Sequence, residues 1–243
     1  MSDQPFSRGA QFLLGARDTT PMIVGAIPFG FLFGALAVNA GLSLFGAMGM
    51  SLFVFAGSAQ FVAATMLTQG AAIAVIVATT FVVNIRHALY SASLAPHVGH
   101  LPQRWLMPLG FLLTDESFAV VVKRFSSASS QQNNHWYFLG SGVAMYVNWQ
   151  ICTLVGIFVG NSLDGLSQWG LEFALVVTFI GIVIPMITDW PMFLAAVVGG
   201  GIALMAYDLP HNLGLLVASL SAIAVGFIAE SFYKSSRAVE SGK

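Results

Sequence analysis

Three observations predict an all-helical protein that crosses a bilayer many times. Of 243 residues, 57% are hydrophobic and only 8% charged, where a soluble domain averages about 25% charged. Mean hydropathy is +0.82. The apolar runs are long and continuous instead of alternating, which suits helices and excludes barrel strands. The same composition narrows function. A formal net charge of −1 without a basic patch argues against nucleic-acid binding. A single cysteine, Cys152, excludes an intrachain disulfide and a cysteine-based metal site.

The chain opens with a polar stretch, residues 1–19, that carries Arg8 and Arg17. It lacks a short apolar core followed by a small-residue cleavage site. It is therefore expected as a cytoplasmic segment, with the first membrane helix as its own insertion signal. Runs long enough to span follow at 20–40, 44–67, 71–95 and 105–122. A polar loop, 123–135, rich in Ser, Gln and Asn, precedes a fifth run at 136–160. Two shorter runs, 172–187 and 191–206, are joined only by Thr188-Asp189-Trp190. The last run, 213–232, leads into a polar tail over 233–243.

The short pair is either two thin spans or one re-entrant hairpin, and positive charge favours two spans. With eight spans and the N-terminus inside, Arg8, Arg17, Lys123, Arg124, Lys234, Arg237 and Lys243 fall on the cytoplasmic side, and only Arg104 outside. Seven spans would place the tail cations outside, against the positive-inside rule. The expectation is about eight transmembrane helices, with seven plus a re-entrant segment as the alternative, and both termini cytoplasmic. They form a single membrane domain over 1–243, divided by the 123–135 loop into two four-helix halves. Such halves would be related by a parallel repeat and not an inverted one.

Some of these helices are expected to break at mid-membrane. Span one holds Ile27-Pro28-Phe29-Gly30 near its centre, where proline removes a backbone hydrogen bond and crowds the previous turn. Span two holds Phe55-Ala56-Gly57-Ser58-Ala59-Gln60, and Ile184-Pro185-Met186 marks a third candidate. Irregular backbone at that depth is tolerated only inside protein or along a wet cavity. Packing offers another use for the glycines, since Gly30 and Gly34 form a GxxxG pair. Gln60 favours a cavity, because a buried side-chain amide needs partners.

Span three carries Asn84-Ile85-Arg86-His87-Ala88-Leu89-Tyr90-Ser91. At helical spacing Asn84, His87 and Ser91 share one face, while Arg86 and Tyr90 lie roughly opposite. Arg86 needs a partner within the membrane unless it snorkels to the outer surface. Span four supplies candidates in Leu113-Thr114-Asp115-Glu116-Ser117-Phe118. One acid at such depth costs about 2.5–3.5 kcal/mol on insertion scales, so Asp115 and Glu116 are expected to be in use. His87 reads as a hydrogen-bonded structural histidine; no metal site and no cofactor are expected.

Taken together these segments resemble the AzlC family, the large subunits of bacterial branched-chain amino acid exporters. Ile27 to Gly30 with Gly34, Phe55 to Phe61, Asn84 to Tyr90 through Leu94, and Leu113 to Phe118 carry the resemblance. It is close over about residues 20–125 and rests on hydropathy beyond them. The resemblance implies a permease of the bacterial inner membrane that exports branched-chain L-amino acids on the proton gradient. It also implies a small partner subunit of the AzlD type.

The residues themselves imply how such a substrate would be held. An apolar amino acid is a zwitterion, so its site needs donors, acceptors and an apolar wall. Pro28, Phe29, Gly30, Phe55, Gly57, Ser58, Gln60, Phe61 and Asn84 are the expected binding residues, with Leu112 as a further wall. Free N–H groups at the breaks would take the carboxylate; Gln60, Asn84 or an acid would take the ammonium. Asp115 and Glu116, with Arg86, form the expected proton-coupling and ion-pair group, and two adjacent carboxylates should titrate as a coupled unit. His87, Tyr90 and Thr114 are expected to support them. Three competing functions fit the residues less well. A passive channel lacks a charged ring at one depth. An assembly subunit would not need so many mid-membrane polar groups. An intramembrane enzyme would need facing acids or a Ser–His pair, so no enzyme is expected.

Overall fold

A computed structural model describes residues 7–127, 133–162, 180, 184, 187–207, 209 and 213–241. Every regular element among them is helical. The chain forms two compact units, Met1–Leu166 and Ser167–Lys243.

In the first unit, α1 (Arg8–Asp18) runs almost without interruption into α2 (Thr20–Asn39). Thr19 between them keeps a helical backbone, φ −82° and ψ −13°. Its N–H donates to Gly15 O and its carbonyl accepts from Ile23 N, so the ladder continues through it. The expected break at Pro28 is absent, because α2 is continuous across it. Proline removes one bond of a twenty-residue helix, and membrane helices tolerate that loss where neighbours hold the backbone. Here the inner face of α2 is clamped on α8 (Asn134–Ser162).

That clamp is the centre of the unit. A Cβ on Gly34 would collide with Thr153 O, and one on Gly156 with Phe31 O. Small residues therefore bring the two backbones into contact, as GxxxG pairs do in hydrocarbon. Contacts advance along both helices together: Gly15 meets Tyr137, Gly30 meets Trp149 and Cys152, Gly160 meets Ala35. The helices run parallel. Thr19 Oγ1 donates to Ser141 Oγ at 2.6 Å within the same interface.

Span two is interrupted, giving α3 (Leu44–Phe53) and α4 (Gly57–Thr68). The left-handed residue at the break is Phe55, φ +41°, and not Gly57. A non-glycine residue there is strained by about 1–3 kcal/mol, and its neighbours must hold it. The Phe55 ring is buried, 4.8 Å from the Tyr146 ring and 6.2 Å from that of Phe111. The last carbonyls of α3 lack helical partners, and α8 supplies them. Gln150 Nε2 donates to Ser51 O and Tyr146 OH to Leu52 O, each at 3.1 Å.

Span three is the continuous helix α5 (Ile73–Val98). Span four breaks as well, into α6 (Gln103–Phe111) and α7 (Asp115–Ser127). At this second junction Thr114 and Ser117 cap each other. Thr114 N donates to Ser117 Oγ at 2.8 Å, and Ser117 N to Thr114 Oγ1 at 3.3 Å, the reciprocal pattern of a capping box. The second unit contains α9 (Trp190–Met205) packed on α10 (Leu213–Ser241). Gly199 lies against Ala222 and Gly226 against Ala195, so this pair is antiparallel. Most of the sixth expected span, and the third expected break at Pro185, lie outside the described residues.

Candidate functional site

The two interruptions leave two helix starts inside the first unit, α4 at Gly57 and α7 at Asp115, and α5 lies against both α4 and α7. Arg86, on α5, reaches both. Its Nη2 donates to Ser58 Oγ at 2.5 Å. Its Nη1 lies 2.9 Å from Asp115 Oδ2. Tyr90, one turn further along α5, donates its hydroxyl to Asp115 Oδ1 at 2.7 Å. The Tyr90 ring in turn stacks on Phe118 of α7, 4.3 Å between centroids. Both oxygens of Asp115 are thus engaged by α5.

Glu116 follows a different course. It makes no ion pair among the described residues, although it lies within electrostatic reach of Asp115 and Arg86 and beside the Thr114 hydroxyl. Between the two acids of the first turn, one is committed to Arg86 and the other is not.

The two helix starts differ in charge. The first turn of α7 holds Asp115 and Glu116 and is capped by Thr114. The first turn of α4 has no acid, and its N-cap Ala56 offers no side-chain bond. The N–H groups of Gly57, Ser58 and Ala59 therefore have no partner in the helix. They sit at the positive end of the helix dipole, and the Arg86 guanidinium touches the same turn. Such a start is built to receive an anion.

Beside it lies an aromatic wall with unsatisfied polar atoms. Gln60 is 0% exposed, and among the described residues neither its Oε1 nor its Nε2 has a hydrogen-bond partner. Trp149 of α8 is buried, and its Nε1, like Asn84 Oδ1 and Arg86 Nε, has no partner among the described residues either. A Cβ on Gly57 would sit 2.9 Å from Trp149 Cη2, so the glycine makes room for the indole. Phe33 stacks on Trp149 at 6.5 Å, and Phe61 meets Phe29 and Phe33 edge-on at 6.3 and 6.1 Å. Buried polar groups without partners cost about 1–3 kcal/mol each. A cluster of them marks a place where a bound molecule or water completes the bonding.

The structure brings together Arg86, Ser58, Asp115 and Tyr90 in one network. It sets Gly30 and Gly57 against Trp149, and joins Phe29 and Phe61 to that indole through Phe33. Phe55 anchors the first break, and Thr114 caps the second. His87 is held by Asn84, its Nδ1 3.1 Å from Asn84 O. Pro28 is not part of this group; it faces outward, exposed on α2. Leu112 packs on Gly142 of α8. Sequence reasoning missed Trp149, Tyr146 and Gln150, which all come from α8. Their signal was present as Tyr146-Val147-Asn148-Trp149-Gln150, a polar and aromatic stretch at the middle of an apolar run. No group of three or more metal-ligating side chains occurs among the described residues.

A profile of the AzlC protein family matches residues 21–163. The inner membrane protein YgaZ of Escherichia coli is 30% identical over 161 residues, 66% of this chain and 65% of that protein. An uncharacterized membrane protein of Archaeoglobus fulgidus is 31% identical over 219 residues, 88% of this chain and 94% of that one. The branched-chain amino acid transport protein AzlC of Bacillus subtilis is 26% identical over 166 residues, 68% of this chain and 64% of that protein. The matches to the first and third therefore span slightly less than two thirds of those relatives. No solved structure matches this chain.

Proposed function

The chain belongs to the AzlC family, and from that premise we propose that it is a secondary transporter subunit exporting branched-chain and other apolar L-amino acids by proton antiport. It is a helical membrane protein. It works with a small AzlD-type membrane subunit in the cytoplasmic membrane, with about eight spans and both termini cytoplasmic. The parallel course of α2 and α8 supports the topology of the first five spans. Two parallel spanning helices need an odd number of crossings between them, and spans two to four supply three.

The observation that carries the mechanism is Arg86 bridging Ser58 and Asp115 at the starts of two interrupted helices. The substrate carboxylate sits at the uncapped first turn of α4, held by the N–H groups of Gly57, Ser58 and Ala59 and by Arg86. Gln60 and the Trp149 indole N–H complete its hydrogen bonds. The branched side chain lies on Phe29, Phe33 and Phe61. Asp115 holds Arg86 in place, and Glu116 accepts the ammonium. A carboxylate that accepts an ammonium cannot carry a proton at the same time. Substrate and proton therefore exclude each other at Glu116, which is the requirement for antiport.

The test is efflux of preloaded labelled L-leucine or L-valine from cells expressing this chain, with and without the small partner. Efflux that needs both proteins and collapses with the proton gradient is expected. Failure of both combinations to move any apolar amino acid would remove the proposal.

A further inference from the structure

A polar cavity lies near the end of α7, away from the Arg86 network at its start. It encloses about 530 Å³ where α1 meets α2, where α7 ends and where α8 begins. Three cations line it: Arg17 at the end of α1, and Lys123 and Arg124 in the last turns of α7. Asp18 is the one carboxylate among its lining residues, and Tyr137 OH donates to it at 2.8 Å. Arg124 lies over the Tyr137 ring, 5.3 Å from the centroid, a cation–π contact that holds it against the cavity wall. The lining charge is therefore two positive.

The remaining wall is apolar. Pro21 and Met22 open the first span, Ala119 and Val120 close the fourth, and Pro21, Met22 and Ala119 are exposed beside the cations. Polar residues give way to apolar ones at this level, at the start of α2 and near the end of α7, where Val120, Val121 and Val122 precede Lys123. The cavity thus combines a cationic rim at the membrane–water boundary with an apolar flank running into the bilayer. A soluble anion needs only the first of these; a phospholipid uses both. We propose that this cavity binds the phosphate headgroup of an anionic phospholipid, with its acyl chains along Pro21, Met22 and Ala119. Arginine pairs bidentately with phosphate oxygens and lysine adds a point charge. Basic pockets between membrane helices take such headgroups. The site is independent of the transport reading, since it depends only on the chain lying in a bilayer.

The experiment measures retention of fluorescent phosphatidylglycerol by the full-length protein in mixed phosphatidylglycerol–phosphatidylcholine nanodiscs. Wild type is compared with Arg17→Gln, with Lys123→Gln, with both, and with Arg104→Gln as a cation outside the cavity. Arg17 and Lys123 are exposed, so neither change disturbs the Tyr137 packing. Each removed cation is expected to weaken retention by about fivefold, with Arg104→Gln unchanged. A second arm adds inorganic phosphate. Displacement by phosphate at concentrations comparable to the lipid would assign the cavity to the free anion, and overturn the lipid. Equal retention by wild type and the double variant would overturn the site altogether.

Discussion

Arg86 Nη1 lies 2.9 Å from Asp115 Oδ2, joining an uninterrupted helix to the first turn of an interrupted one. The same guanidinium bonds Ser58 at the start of the other interrupted helix. One side chain therefore sets the spacing of two helix starts, and the predictions below follow from that role.

Replacing Arg86 removes the ion pair of Asp115, leaves it the Tyr90 hydrogen bond, and unlinks the two helix starts. Arg86→Gln is expected to lower leucine transport roughly a hundredfold, in line with the 2–5 kcal/mol lost when one partner of a buried charge pair is removed. The stability cost should be smaller, about 1–2 kcal/mol, because each side chain of the pair is 29% exposed. Arg86→Lys should recover little, since one ammonium cannot present the planar fork that reaches both partners. Transport assays paired with thermal unfolding in detergent check both numbers.

The two neighbouring acids should separate in function. Glu116→Gln is expected to abolish transport driven by a pH gradient. Asp115→Asn should depress every mode of transport, because it loosens Arg86. Equal behaviour of the two variants in gradient-driven and exchange assays would show that the division between them is wrong.

Gln60 should trade stability against binding. Both its polar amide atoms are buried without partners among the described residues, so an apolar residue of similar length removes a penalty in the empty protein. Gln60→Met is expected to raise unfolding stability by about 1–2 kcal/mol while raising KM for leucine at least tenfold. Trp149→Phe, which deletes only the unpartnered N–H and part of the ring, should raise KM with a smaller change in stability. Lower stability and unchanged KM in Gln60→Met would place Gln60 in the packing and not in the site.

The glycine contact between α2 and α8 gives a test free of charge effects. A Cβ at Gly34 would strike the Thr153 carbonyl. Gly34→Ala is therefore expected to destabilise the first unit by about 1–3 kcal/mol. Gly25→Ala, on the same helix with nothing within 4 Å of the added carbon, should gain up to about 1 kcal/mol from helix propensity. Thermal unfolding of the two variants side by side distinguishes them.

What could be read from the sequence follows the length of each signal. The continuous helices α2, α5 and α8 were legible within a few residues, because an apolar run of membrane length has few other fates. The interruption near Phe55 was legible from Gly57, Ser58 and Gln60 in hydrocarbon, although the backbone turns at Phe55 itself. Pro28 misled, because a single missing N–H is tolerated where Gly30 and Gly34 hold the helix on α8. The interruption at 112–114 was hidden, since Leu112 and Leu113 continue an apolar run and only the Thr114 and Ser117 caps mark a helix start. Arg86 could be matched to an acid because an arginine within a span needs a partner and the neighbouring span offered two. Which acid it takes is a matter of helix phase after the break, so the sequence left Asp115 and Glu116 equivalent. Trp149 required knowing that α8 passes the start of α4 at Gly57, a contact between residues far apart in the chain.

The most direct test uses proteoliposomes holding this chain with its small partner, loaded with labelled L-leucine. Efflux is followed with and without an imposed proton gradient, and then as exchange against unlabelled leucine, for wild type and Glu116→Gln. The account predicts gradient-accelerated efflux for wild type, and for the variant exchange that persists while the response to the gradient disappears. Gradient-driven efflux of wild-type magnitude in Glu116→Gln would contradict it.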